Sequence, residues 1–180
     1  MIRNIALSLL LVVITSPAMA AMITATASLD GLQEVPPNDS AATGTATFTI
    51  DDVTGGYEFM LDVDGIDVFE IKADAVGGIH IHEAPVGSNG GIVINVASDR
   101  TSLAIPAFGM FSMTSAGVVD DLGSVLAALA AGDLYINVHT EEYAGGEIRG
   151  QLAVVPLPGA FLLFGSAIFG LLAVKRRQRA

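Results

Sequence analysis

The chain has 180 residues, with eight lysines and arginines against nineteen aspartates and glutamates, a formal net charge of −11, and no cysteine. That length allows one domain once targeting segments at the ends are set aside. The lack of cysteine excludes disulfides, a thiolate metal site and a lipid-modified N-terminal cysteine.

The N-terminus opens with the single positive charge of MIRN, continues through the apolar run IALSLLLVVI and ends in TSPAMA, with small residues at Ala18 and Ala20. This order predicts a secretory signal peptide over residues 1–20, removed after Ala20 by signal peptidase. With Arg3 and the four cations of the C-terminal tail set aside, residues 21–155 hold three cations and nineteen acids, a formal −16. So acidic a surface excludes nucleic acid as a partner; it keeps an exported domain soluble and favours cationic or basic partners.

In ITATASLDG, Ile23, Ala25, Ala27 and Leu29 alternate with Thr24, Thr26 and Ser28, the period of a half-buried strand. QEVPPNDSA interrupts it, because Pro36 and Pro37 cannot donate to a ladder and Asn38, Asp39 and Ser40 favour turns. TGTATFTI and YEFMLDV then present Ala46, Phe48, Ile50 and Tyr57, Phe59, Leu61, Val63 on single faces, a hairpin turning at DDVTGG. GIHIH follows, with Ile79 and Ile81 predicted inward and His80 and His82 outward. After the loop EAPVGSNGG come a strand IVINVA and another around FGMFSMT.

DDLGSVLAALAAG places Leu122, Val125, Leu126 and Leu129 at helical spacing behind an Asp or Ser cap, with Gly132 as the stop, and predicts one short helix. DLYINVHT and EIRGQLAV, joined by EEYAGG, complete the set. Seven or eight short strands and one helix over residues 21–153 predict an all-β fold, an antiparallel β-sandwich with Greek-key links.

From Leu157 to Val174 the chain carries no charge, and KRRQRA follows at once. Eighteen helical residues at about 1.5 Å each span roughly 27 Å, enough for a thin bilayer. A transmembrane helix over 157–174 is therefore expected, with Lys175, Arg176, Arg177 and Arg179 on the cytoplasmic side and the middle of the chain outside.

The chemistry resides in three histidines. His80 and His82 share one face of their strand, while Tyr135, Asn137 and His139 share one face of YINVHT. If the two strands are neighbours, His80, His82 and His139 converge, and three imidazoles suit zinc or copper with an open position. The alternative is that the imidazoles are hydrogen-bonded supports for the loops beside them.

Asp62, Asp64 and Asp67 in DVDGID lack the later bidentate glutamate of a calcium loop and read as a solvated turn. The pairs Asp51/Asp52, Asp120/Asp121 and Glu141/Glu142 read as turn and cap residues. Among catalytic motifs, GxSxG, HExxH, a cysteine nucleophile and a phosphate loop are all missing, so no enzyme is expected.

LDGLQEVPPNDSAATGTATFTID, GIHIHEAPVGSNGGIVINV and LAAGDLYINVHTEEYAGGEIRGQL together resemble the chordin-type (CHRD) domain across residues 24–152. The resemblance implies an extracellular β-sandwich, like that of superoxide dismutases, without established enzyme activity. H-x-H is similar to the copper site of copper–zinc superoxide dismutases, but three histidines are too few for that copper and zinc set, and the enzyme's disulfide is missing.

VPLPGAFLLFGSAIFGLLAVKRRQRA, residues 155–180, resembles the PEP-CTERM sorting tail of Gram-negative bacteria, with Val155, Pro156, Leu157 and Pro158 matching a variant that has leucine in place of glutamate. The resemblance implies that residues 154–180 form a tail held transiently in the inner membrane and cut by an exosortase. The domain would then reach the cell surface or an exopolysaccharide matrix, where polysaccharide or protein is the expected partner. The expected function is thus a non-enzymatic exported surface module, with binding of copper or zinc as the alternative.

Overall fold

Strict alternation gives the first three strands. In the computed structural model, which describes residues 20–72, 77–98 and 100–156, β1 (Met22–Asp30), β2 (Thr43–Asp51) and β3 (Gly56–Asp64) form an antiparallel meander. Each buries its apolar set, Ala25, Ala27 and Leu29, then Ala46, Phe48 and Ile50, then Tyr57, Phe59, Leu61 and Val63. The threonines of β2 lie on the opposite face. Truncating a fully buried ring such as Phe48 or Phe59 to alanine removes about 3–5 kcal/mol.

Strands β4 (Ile79–Glu83) and β5 (Gly91–Ile94) follow, then β6 (Arg100–Ala107) and β7 (Met110–Val118). The strand expected around FGMFSMT is β7, which begins at Met110 rather than Phe108. Phe108 and Gly109 are the tip of the β6–β7 hairpin, where Gly109 takes the positive φ of 72° that a tight turn requires. Likewise the strand predicted as IVINVA ends at Ile94, and residues 96–98 form a turn.

Helix α1 (Leu122–Ala131) is where the sequence puts it. The Asp121 side chain accepts from the Ser124 N–H, and Gly132 at φ 76° closes the helix, its N–H reaching the carbonyls of Ala128 and Leu129. Val125, Ala128 and Leu129 are its buried residues. Beyond it lie β8 (Leu134–Val138), β9 (Ile148–Gln151) and β10 (Ala153–Val154), the last reaching one residue past the predicted domain end.

Among the described residues all ten strands belong to one antiparallel sheet in the order β5-β4-β8-β9-β1-β2-β3-β7-β6, with β10 also on β1. The two halves join along β1. On one side it pairs with β2 over its whole length, whereas on the other it meets β9 only at Asp30↔Arg149 and β10 at Ala25 and Thr26. The sheet curls about this seam, and one buried cluster collects Phe48, Phe59 and Phe111 from one half with Ile81, Ile136 and Ile148 from the other.

The predicted signal segment through residue 19, including Ala18, lies outside the described residues, as do Leu157 and Pro158 of the predicted sorting motif, the expected span 157–174 and Lys175, Arg176, Arg177 and Arg179. Among the described residues no helix is long and apolar enough to cross a membrane. Ala20 is exposed, and the next residue, Ala21, donates its N–H to Asp52 Oδ1 at 2.8 Å. Val155 donates its N–H to the Thr24 carbonyl at 2.8 Å, so the described part of the predicted sorting motif, Val155 and Pro156, lies beside the start of β1.

Candidate metal centre

The register of β4 on β8 decides whether the histidines meet. Ile79 faces Val138, His80 faces Asn137 and His82 faces Tyr135. One step further the His139 N–H donates to the Gly78 carbonyl at 2.7 Å, continuing the ladder, and the His139 carbonyl accepts from the Lys72 N–H at 3.0 Å. Because side chains alternate between faces, Ile79, Ile81, Ile136 and Val138 go to the core together. His80, His82, Tyr135, Asn137 and His139 share the other face, which Arg149 and Gln151 of β9 extend opposite Asn137 and Tyr135.

Most of that face is closed to solvent, contrary to the outward placement predicted for His80 and His82, while His139 and Gln151 at its margins are half-buried. His80 and His82 are 3% and 8% exposed, and Asn137 and Arg149 are as deeply buried. Loops do the covering. Residues 84–90 fold back so that Gly90 meets His82 and Tyr135, and Asn89 ties this loop to the Val35 carbonyl at 2.7 Å and accepts from Arg149 Nη1 at 3.2 Å. The turn after His139 supplies the Ala144 carbonyl.

The three rings form a near-regular triangle. Centroids are 5.5 Å apart for His80 and His82, 5.2 Å for His80 and His139, and 5.8 Å for His82 and His139. One nitrogen from each ring lies within 4.8 Å of the others, and among the described residues no other group of three or more metal-ligating side chains does so. A triangle with that edge has its centre about 2.8 Å from each corner, so ring movements of under roughly 1 Å bring three nitrogens to the ~2.0–2.1 Å of a zinc or copper bond.

Tautomers are set by carbonyls, which can only accept. Nδ1 of His82 faces Gly90 O at 3.0 Å and Nδ1 of His139 faces Ala144 O at 3.2 Å, so each Nδ1 carries the proton and leaves the lone pair on Nε2. A carbonyl on the second ring nitrogen is the usual support of a metal-bound imidazole. Burial pushes the pKa of His82 down to about 4, opposed by the Gly90 bond and assisted by His80, His139 and Arg149, so at neutral pH the ring is uncharged.

Tyr135 and Arg149 complete the layer, and the sequence reading assigned neither a role. The Tyr135 ring stacks on His82 at 5.0 Å and 10°, its hydroxyl accepts from the Gly90 N–H at 3.0 Å, and Arg149 Cζ lies 3.5 Å from its ring centroid. Since β8 lies between β4 and β9, imidazole, phenol and guanidinium follow one another across three strands. Alternation in EIRGQ was the available signal for Arg149, but not for its neighbours.

Asp51, Asp67 and Glu70 behave as turn and cap residues, whereas Asp62 and Asp64, expected in a turn, belong to strand β3 and pair with Ser112 and Met110 of β7. Asp67 caps the 3₁₀ turn Val68–Glu70 and Glu70 returns the bond, while Asp51 accepts from the N–H groups of Val53 and Thr54. Asp62 and Asp64 are exposed.

Neither a curated protein nor a solved structure matches the chain. A family model does: the one described as the CHRD domain covers residues 25–152, a stretch that runs from the fourth residue of β1 to the end of β9 and contains all three histidines. The chain belongs to the CHRD-domain family.

Proposed function

We propose that this is an exported, non-enzymatic module that holds one zinc or copper ion on His80, His82 and His139. The observation that carries the reading is the convergence of one nitrogen from each of three histidines within 4.8 Å, on a buried face with carbonyls set on two of the rings. A purely structural role accounts less well for the arrangement, because a buried imidazole is costly unless both nitrogens find partners, and Nε2 of His82 receives no hydrogen bond from the protein.

Export by a signal peptide removed after Ala20, and sorting through Val155, Pro156, Leu157 and Pro158 with cleavage by an exosortase in a Gram-negative inner membrane, belong to the same proposal. So does delivery to the cell surface or exopolysaccharide matrix. The order of apolar span and basic tail supports it. We also take the curl of the sheet as that of a Greek-key sandwich of the superoxide dismutase type, a reading supported by the core residues shared between its halves.

Elemental analysis of residues 21–156, purified without added metal and then reloaded with zinc or copper, tests the site. One ion per chain is expected, lost in His80→Ala, His82→Ala and His139→Ala, and at a hundredfold excess over Kd it should add about 2.7 kcal/mol of stability. Substoichiometric metal that none of the three substitutions changes would sink the reading. Intact-mass measurement of the exported protein tests sorting separately: retention of KRRQRA in a host with an exosortase would contradict it.

A further inference from the structure

Glu34 and Asn137 are 4% and 3% exposed, and Oε1 of the first and Oδ1 of the second receive no hydrogen bond from the protein. The two side chains touch through Asn137 Nδ2 and Glu34 Oε2, a long bond of 3.4 Å. Their remaining oxygens face the same place. A Cβ built on Gly146 would stand 2.6 Å from Oε1 and 2.4 Å from Oδ1, so these oxygens are no more than about 5 Å apart. A single nitrogen at ~2.7–3.2 Å from each reaches both. Gly146, at φ 130°, packs against both oxygens and closes them to solvent, so a ligand reaches them by displacing the Gly145–Gly146 turn.

The approach is a cleft of about 300 Å³ between the Glu34–Asn38 loop and the Glu142–Gly146 turn, walled by Pro36, Pro37 and Tyr143. Its charge is mostly negative: Glu34 and Glu142 line it, Asp39 accepts from the Tyr143 hydroxyl, and Glu147 lies behind, held by Ser40 and Thr140. The opposing charge is the buried Arg149.

We propose that this cleft binds a primary ammonium group, its N–H donors on Glu34 Oε1 and Asn137 Oδ1 and its carbon stem against Tyr143 and the two prolines. Two buried acceptors with no donor call for a ligand that brings several donors, and a primary ammonium brings three. A carboxyl that burial has pushed up to about 7, despite Arg149, gains its missing compensation from an arriving cation. The inference stands on Glu34 and Asn137, whatever becomes of the metal reading.

Calorimetric titration of the full chain in detergent at pH 8 tests it, with n-butylammonium, glucosamine and tetramethylammonium at matched ionic strength. Saturable one-site binding is expected for at least one of the two primary amines, with none for tetramethylammonium, which has no N–H. Butylammonium bound more tightly identifies a side-chain amine as the ligand, and glucosamine an amino sugar. Glu34→Gln should weaken binding at least tenfold, and Tyr143→Ala, a half-exposed position that leaves the fold intact, should also weaken it. Failure of both primary amines to bind the folded chain would overturn the proposal, as would equal binding of tetramethylammonium or affinity unchanged by either substitution.

Discussion

Tyr135 holds His82 twice: its ring lies 10° from parallel to the imidazole at 5.0 Å, and its hydroxyl accepts from the Gly90 N–H, whose own carbonyl takes the Nδ1 proton of His82. Replacing Tyr135 with Phe keeps the stack and removes the acceptor. The Gly90 N–H then loses its partner at a cost of about 1 kcal/mol, read as a lowered Tm. Metal affinity should fall roughly tenfold or more, because the Gly90 carbonyl that orients His82 is less firmly placed. Competition with a chromophoric chelator measures the second effect.

Two buried groups pull the pH dependence in opposite directions. His82 has its pKa lowered from 6.5 to about 4, so the unfolded chain takes up its proton first. The neutral ring's contribution is complete above pH 6.5 and is lost as pH falls toward about 4, up to about 3 kcal/mol. Glu34 has its pKa raised from 4.5 to about 7 by burial, so its contribution is complete below 4.5 and is lost as pH rises through about 7. Denaturant melts of the metal-free protein at a series of pH values should therefore show Glu34→Gln losing less stability than wild type from pH 5 to 8, and His82→Gln losing less from pH 6.5 to 4. Parallel curves for all three proteins would contradict both assignments.

Gly90 and Gly91 make an internal control. A Cβ on Gly90 would stand 1.7 Å from the Glu83 carbonyl oxygen, whereas one on Gly91 meets nothing within 4 Å. Gly90→Ala should cost about 3 kcal/mol or more, because backbone rather than a flexible side chain must move, and it should weaken metal binding by displacing the carbonyl on His82. Gly91→Ala should stay within roughly 1 kcal/mol of wild type. Chemical denaturation of the pair decides it.

In a chain that begins at Ala21, the amine of that residue replaces the N–H now 2.8 Å from Asp52 Oδ1 and forms an exposed ion pair. Asp52→Asn should lower stability by less than about 1 kcal/mol, and less still at high salt. The same substitution in a chain extended by several residues before Ala21 should show no such salt dependence. Melting curves of the four proteins at two ionic strengths make the comparison.

What could be read from the sequence was whatever alternation writes locally. β1, β2 and β3 carry an unbroken period of two, α1 carries its cap and its stop, and the inward set Ile79, Ile81, Ile136, Val138 follows from the same rule. β6 gave no such signal, since every residue of this edge strand is exposed and none is marked by burial. The histidines show the limit more sharply. Their common faces were legible, but the β4–β8 pairing that unites them is a contact between distant segments. Their burial depends on loops at 84–90 and 140–147 folding over the sheet, which strand periodicity does not encode. Glu34 was hidden for the same reason: in sequence it is one acid in a turn, and only the fold sets it against Asn137.

The placement of Ala21 and Pro156, at the two borders of the sheet domain, has a mechanical consequence. Ala21 and Pro156 border the same groove at the start of β1, while β1 finishes at Asp30, opposite Arg149 and the histidine layer. Eight steps along that strand come to roughly 26 Å. A leash at either terminus therefore grips one pole of the molecule and presents the opposite pole, with the imidazoles beneath their loops and the Glu34 cleft beside them, away from whatever surface does the holding.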